Sequence, residues 1–242
     1  MKPLIDYSKT GDIALKNQNT LRKIVGALGM FLPLALCLFV EIDSRFSTIL
    51  PSISHYYFTR ACGIFIIIIS MLSVFLLIYK GHKLHDFYVS TIAGISSLLL
   101  LLFPTDNLPQ EFDTVCVTAL KTSDFRMYFH FICAGIFLLS LAYMSAFLFT
   151  KSKFSKINRG KKKRIRNRIY RTCAVIIVLA ILIIIICKQF FDAIYKAYPI
   201  TFWMEVVAVE AFGFSWLVKG EAILQDSEKE DDEYKPFPDE LS

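Results

Sequence analysis

Six apolar runs, at 24–42, 60–79, 87–103, 126–150, 169–187 and 200–218, alternate with polar stretches along this chain. A helix rises about 1.5 Å per residue, so around 20 apolar residues cross the roughly 30 Å of bilayer hydrocarbon. Each run is close to that length. The pattern predicts an all-α polytopic membrane protein, a bundle of six transmembrane helices spanning 24–220. Segment 1–23 has too few apolar residues for a domain and reads as a cytoplasmic lead-in. Segment 221–242 carries nine acids, and its SEKEDDEYKPFPDE composition reads as an acidic disordered tail. Gly26 and Gly29 in the first run are small enough to let a neighbouring helix approach, while Pro33 frees a carbonyl that something else must satisfy. Trp203 and Trp216 lie near opposite ends of the last run, where an aromatic belt is expected.

Composition agrees with the pattern, because 55% hydrophobic residues in 242 exceed what one soluble core of ordinary design uses. No cleavage motif of small residues follows the first run, so it is expected to remain as a span. The six cysteines, Cys37, Cys62, Cys116, Cys133, Cys173 and Cys187, have no CxxC or metal-like spacing and mostly lie in apolar runs. They read as small hydrophobes rather than a disulfide framework.

Charge sets the orientation. The stretch 151–171, KSKFSKINRGKKKRIRNRIYR, holds eleven Lys and Arg and no acid. The positive-inside rule makes it a cytoplasmic loop, and with six spans both termini are cytoplasmic. That arrangement puts 21 of the 27 Lys and Arg on one side and an acidic loop at 106–125 on the other. The net charge of +6 therefore needs no nucleic-acid partner, since a basic loop at a membrane meets anionic lipid. Lys161, Lys162, Lys163, Arg164, Arg166 and Arg168 are the expected lipid contacts.

Ionisable groups within the hydrocarbon cost about 2.5–3.5 kcal/mol each even on mild scales, so each asks for a reason. Glu41, His55, Arg60, Asp106, Arg126, His130 and Glu205 all fall at one depth, in the outer third. With Tyr57 they form a candidate ligand-binding pocket in which an arginine pairs with a carboxylate and the histidines carry protons or hold a ligand. The bland alternative is a set of interfacial side chains with one or two packing ion pairs. Glu210 is deeper, and five residues, about 140° of helix, separate it from Glu205, so the two cannot face one narrow pocket. Two outer histidines fall short of the several that a zinc hydrolase uses, and HKLHD at 82–86 fits a solvated turn as well as a chelate. No cofactor or metal is indicated, and no GxxxxGK, HExxH or GxSxG motif occurs.

SISHYYFTR with Arg60, the Tyr79-Lys80-Gly81 run end, Phe103-Pro104-Thr105 and FGFSWLVKG at 212–220 together resemble an uncharacterised family of bacterial multi-pass inner-membrane proteins. The resemblance covers about 24–220, and implies a bacterial inner membrane and no particular activity. Ceramidase-like hydrolases carry a His pair in their last span; Glu205, Glu210 and Trp216 stand there instead. The expectation is thus an outward-facing polar pocket for a small molecule or lipid head group. A membrane-embedded hydrolase of a lipid-like substrate and a proton- or cation-coupled transporter are the alternatives. A homo-oligomer stays open.

Overall fold

The computed structural model describes residues 18–44, 49–79, 81, 84–151 and 161–224. The expected lead-in up to residue 17, the middle of the basic loop at 152–160, His82 and the tail from 225 lie outside the described residues. The chain is helical through most of each apolar run. Its elements are α1 (Gln18–Ser44), α2 (Cys62–Leu77), α3 (Leu84–Leu102), α4 (Asp124–Tyr143, continued by a π turn at Met144–Leu148), α5 (Lys161–Phe190), the short α6 (Asp192–Ala197) and α7 (Ile200–Lys219). Among the described residues two 3₁₀ segments, Ile53–Phe58 and Gln110–Phe112, sit in the connections.

Each long helix packs on its neighbour in the chain, and α7 closes the circuit by packing on both α5 and α1. The end of the bundle bearing Ile53–Phe58 is the upper end below. Outward faces are apolar, with Ile67, Val74, Ile92, Phe147 and Ile185 all exposed. Polar groups turn inward instead: Ser73 bonds Ser97 at 2.6 Å, and Ser145 bonds Ser215 at 2.9 Å. Buried serine pairs between helices and an apolar exterior are the reverse of a water-soluble bundle. Among the described residues, five helices, α1, α3, α4, α5 and α7, are long and apolar enough to cross a membrane. The protein is a multi-pass helical membrane protein. α2 is equally apolar but only 16 residues long, shorter than the run that predicted it because its ends unwind into turns.

Two boundaries and one aromatic position differ from the sequence reading for physical reasons. α1 starts at Gln18 rather than 24, and α5 starts at Lys161, so the second half of the basic stretch forms the first turns of a helix instead of a loop. Lys and Arg are good helix formers, and where water is reachable their charge does not end a helix. Trp216 is no belt residue. It is 2% exposed and packs edge-on against Tyr79, Phe149 and Phe212, whereas Trp203 is 48% exposed as a belt position requires.

Two glycines set the α1 to α7 distance. A Cβ on Gly213 would meet the carbonyl oxygen of Gly26 at 2.7 Å, and one on Gly26 would meet that of Gly213 at the same distance. Both obstacles are backbone, which cannot swing away. Gly63 has open space around it. Gly213→Val is therefore expected to destabilise the purified protein by about 1–3 kcal/mol or more, and Gly63→Ala to leave its thermal midpoint nearly unchanged.

Candidate functional site

The upper end is organised by how the connection between α1 and α2 satisfies its backbone. In Ile53–Phe58 the first N–H groups lack partners within the helix. The Glu205 carboxylate, from α7, accepts from the Ile53 N–H at 2.6 Å, and the Ser54 N–H faces the same carboxylate. Ser52 caps the turn by accepting from the His55 N–H. Two further main-chain bonds anchor the segment, Phe202 N–H to Pro51 O at 3.0 Å and Val117 N–H to Phe58 O at 2.8 Å.

That anchoring holds two serines and two histidines together. His130, buried in the second turn of α4, turns Nδ1 to the carbonyl oxygens of Leu100 at 3.2 Å and Phe103 at 2.9 Å. Carbonyls only accept, so Nδ1 carries the proton, and Nε2 is left as an acceptor 3.0 Å from Ser54 Oγ. His55, also buried, has Nδ1 2.6 Å from Ser52 Oγ and Nε2 3.7 Å from Asp106 Oδ1. Asp106 is about half exposed and accepts from Thr105 Oγ1 at 2.7 Å. Burial pushes the His55 pKa down from 6.5 to about 4; Asp106 pulls the other way and His130 adds to the lowering. His55 is therefore neutral at neutral pH, and at 3.7 Å its approach to Asp106 is a weak contact and not an ion pair.

The structure brings His55, Asp106 and His130 together and gives the other expected residues different surroundings. Glu205 reaches the cluster as a backbone anchor instead of a charge partner. Arg126 donates through Nε to Pro104 O at 3.1 Å and through a terminal nitrogen to Lys121 O at 2.6 Å, so it holds the connection between α3 and α4 instead of pairing with a carboxylate. Tyr57 is half-buried with its ring edge-on to Phe58, and Arg60 is exposed in the turn before α2. Glu41 lines a groove between α1 and α7 together with Cys37, Tyr56, Trp203 and Glu210, a groove that neither histidine lines. Ser54, Ser52 and Thr105 are the residues the sequence reading missed.

At the lower end the basic stretch divides. Arg164 and Arg168 are exposed and, with Arg171, border one face of α5, while Lys162 and Lys163 are half-buried and Arg166 is buried. Lys163 donates to Phe149 O at 3.3 Å. The side chain of Lys161 lies outside the described residues. Buried Asp86 pairs with Lys151.

All six cysteines are free. Among the described residues, no group of three or more His, Cys, Asp and Glu is placed to hold a metal ion. No protein-family model, no curated protein and no solved structure matches this chain. The resemblance to bacterial inner-membrane proteins finds no support there, and the helical membrane class rests on the bundle itself.

The neutral His55 makes stability depend on pH with a definite sign. Its pKa is lower folded than unfolded, so between about 6.5 and about 4 the unfolded chain binds more protons. Acidification from about pH 7 to about pH 5 should then remove roughly 2 kcal/mol of stability through this group. In a thermal-unfolding series His55→Gln should be visibly less sensitive to acid over that range than the wild type. Parallel curves would refute the assignment.

Proposed function

We propose that this is a six-span protein of a bacterial inner membrane, with α2 as the sixth crossing, both termini cytoplasmic and the upper end facing outward. Its function on this reading is to bind a small molecule or lipid head group at the outer membrane boundary, through Ser54, His55, Asp106 and His130. The observation that carries it is the convergence of these polar groups from the α1 to α2 connection, the end of α3 and the start of α4, with Asp106 half exposed above two buried histidines. Ionisable residues at membrane depth are costly and are by default candidates for function. Asp106 supplies an acceptor for a hydroxyl or ammonium group. Glu205 supports the site by positioning Ile53 and Ser54. On the cytoplasmic side, exposed Arg164, Arg168 and Arg171 suit anionic lipid at about 1 kcal/mol per charge near the surface.

Orientation is tested by thiol labelling. Half-exposed Cys116 should react with an impermeant maleimide added from outside, and a Ser155→Cys probe should not; the reverse pattern would invert the topology. For the site, phosphatidylethanolamine in nanodiscs should raise the thermal midpoint above that in phosphatidylcholine, because a ligand bound only to the folded state stabilises by mass action. Asp106→Asn and His130→Ala should remove the difference. A difference that survives both changes would take these residues out of the site.

A further inference from the structure

The Ser54 to His130 bond has a direction, and the direction is chemical. His130 Nδ1 faces two main-chain oxygens, so its proton is fixed and the Nε2 lone pair points at Ser54 Oγ 3.0 Å away. Ser54 must donate. A hydroxyl donating to an imidazole whose far nitrogen is held by an acceptor is the order nucleophile, base, orienter, with the carbonyls of Leu100 and Phe103 in the orienting place a carboxylate often takes. Exposure follows the same order: Ser54 is partly open, whereas His130 is 2% exposed and shielded from competing water. The bond is not needed to hold the segment, which Glu205, Phe202, Val117 and the Ser52 cap already fix.

We propose that Ser54 is the nucleophile and His130 the general base of an acyl transfer from a lipid ester to water. This rests on the reading of the upper cluster as a ligand site and names its reaction. The substrate class follows from position. On the proposed topology the dyad lies at the outer ends of α3 and α4, within reach of the glycerolipid ester carbonyls. Beside it Phe129 packs edge-on to Phe103 at 4.6 Å and stacks on Phe125 at 5.6 Å, with Phe125 largely exposed, an apolar surface for an acyl chain. In the first step Ser54 Oγ forms a bond to the ester carbonyl carbon as its proton passes to His130 Nε2. The bond from that carbon to the alcohol oxygen breaks, and the alcohol leaves with the proton from Nε2. A water molecule, deprotonated by the same nitrogen, then adds to the acyl carbon, the bond to Ser54 Oγ breaks as Oγ takes that proton back from Nε2, and the carboxylic acid is released.

The test is covalent labelling of the full-length protein in nanodiscs with a long-chain alkyl fluorophosphonate, read by intact mass and peptide mapping. One phosphonyl group should attach at Ser54 with loss of fluoride, and none in Ser54→Ala. His130→Gln should label at least roughly a hundredfold more slowly, the usual worth of a positioned base. Ser54→Ala should keep the wild-type thermal midpoint closely, which separates lost chemistry from lost folding. A wild-type protein that stays unmodified while the head-group stabilisation persists overturns the nucleophile and leaves the binding reading standing. Absence of both overturns the two together. Labelling at another residue, or at an undiminished rate in a folded His130→Gln, also overturns the dyad.

Discussion

A backbone near hydrocarbon must find hydrogen-bond partners, and the upper end of this protein depends on how one short segment does so. Where it is described between α1 and α2, the chain does not continue as an α-helix. It forms a 3₁₀ turn whose leading N–H groups meet the Glu205 carboxylate. Unsatisfied groups there would each cost several kcal/mol, so a carboxylate from another helix is a strong clamp. It fixes both the Ile53 backbone and the Ser54 Cα. From that fixed point His130 can be met by Ser54 and His55 by Ser52, and Asp106 stands above them. A substitution that removed the Glu205 acceptor would act on every residue of the cluster through the backbone, without touching any of their side chains.

The clamp in turn requires α7 to stand close against α1, and that is a property of small residues. Gly26 and Gly213 let the two backbones meet where any side chain would push them apart. In a membrane apolar contact alone gives little net drive for helices to associate, so close packing and interhelical polar bonds carry the load. Serine pairs between α2 and α3 and between α4 and α7 add to the same closure. Glycines at one level and a carboxylate at another therefore act in series: helix proximity sets where the carboxylate sits, and the carboxylate sets the cluster.

Much of this was legible in the sequence, and the illegible part has a common cause. Apolar runs located the long helices because length and hydropathy decide spanning segments. Helix ends were misread at Gln18 and Lys161, where charge continues the helix instead of stopping it. His55, Asp106 and His130 stood out because each is an ionisable residue at one depth. Their partners did not stand out. Ser54 is one serine among many, and the residue that gives it meaning lies 76 positions away. Arg126 and Glu205 were read as each other's kind of partner because sequence displays charge, yet both are satisfied by main-chain groups, which every residue has and no sequence pattern marks.

The same point separates the two histidines. His55 is held by a side-chain hydroxyl and a distant, half-exposed carboxylate, both of which can rotate. His130 is held on one side by main-chain carbonyls at the end of α3, which cannot rotate away or take a proton. Its tautomer is fixed by the fold itself. A ring whose proton cannot move to the other nitrogen presents one unchanging lone pair, and it presents that lone pair to the serine with access to the membrane boundary. Packing alone would be served as well by a tyrosine or glutamine bridging the same carbonyls; an imidazole in one forced tautomer adds a base to the bridge. That excess of chemistry over structural need is what distinguishes this pair from the other polar contacts of the bundle.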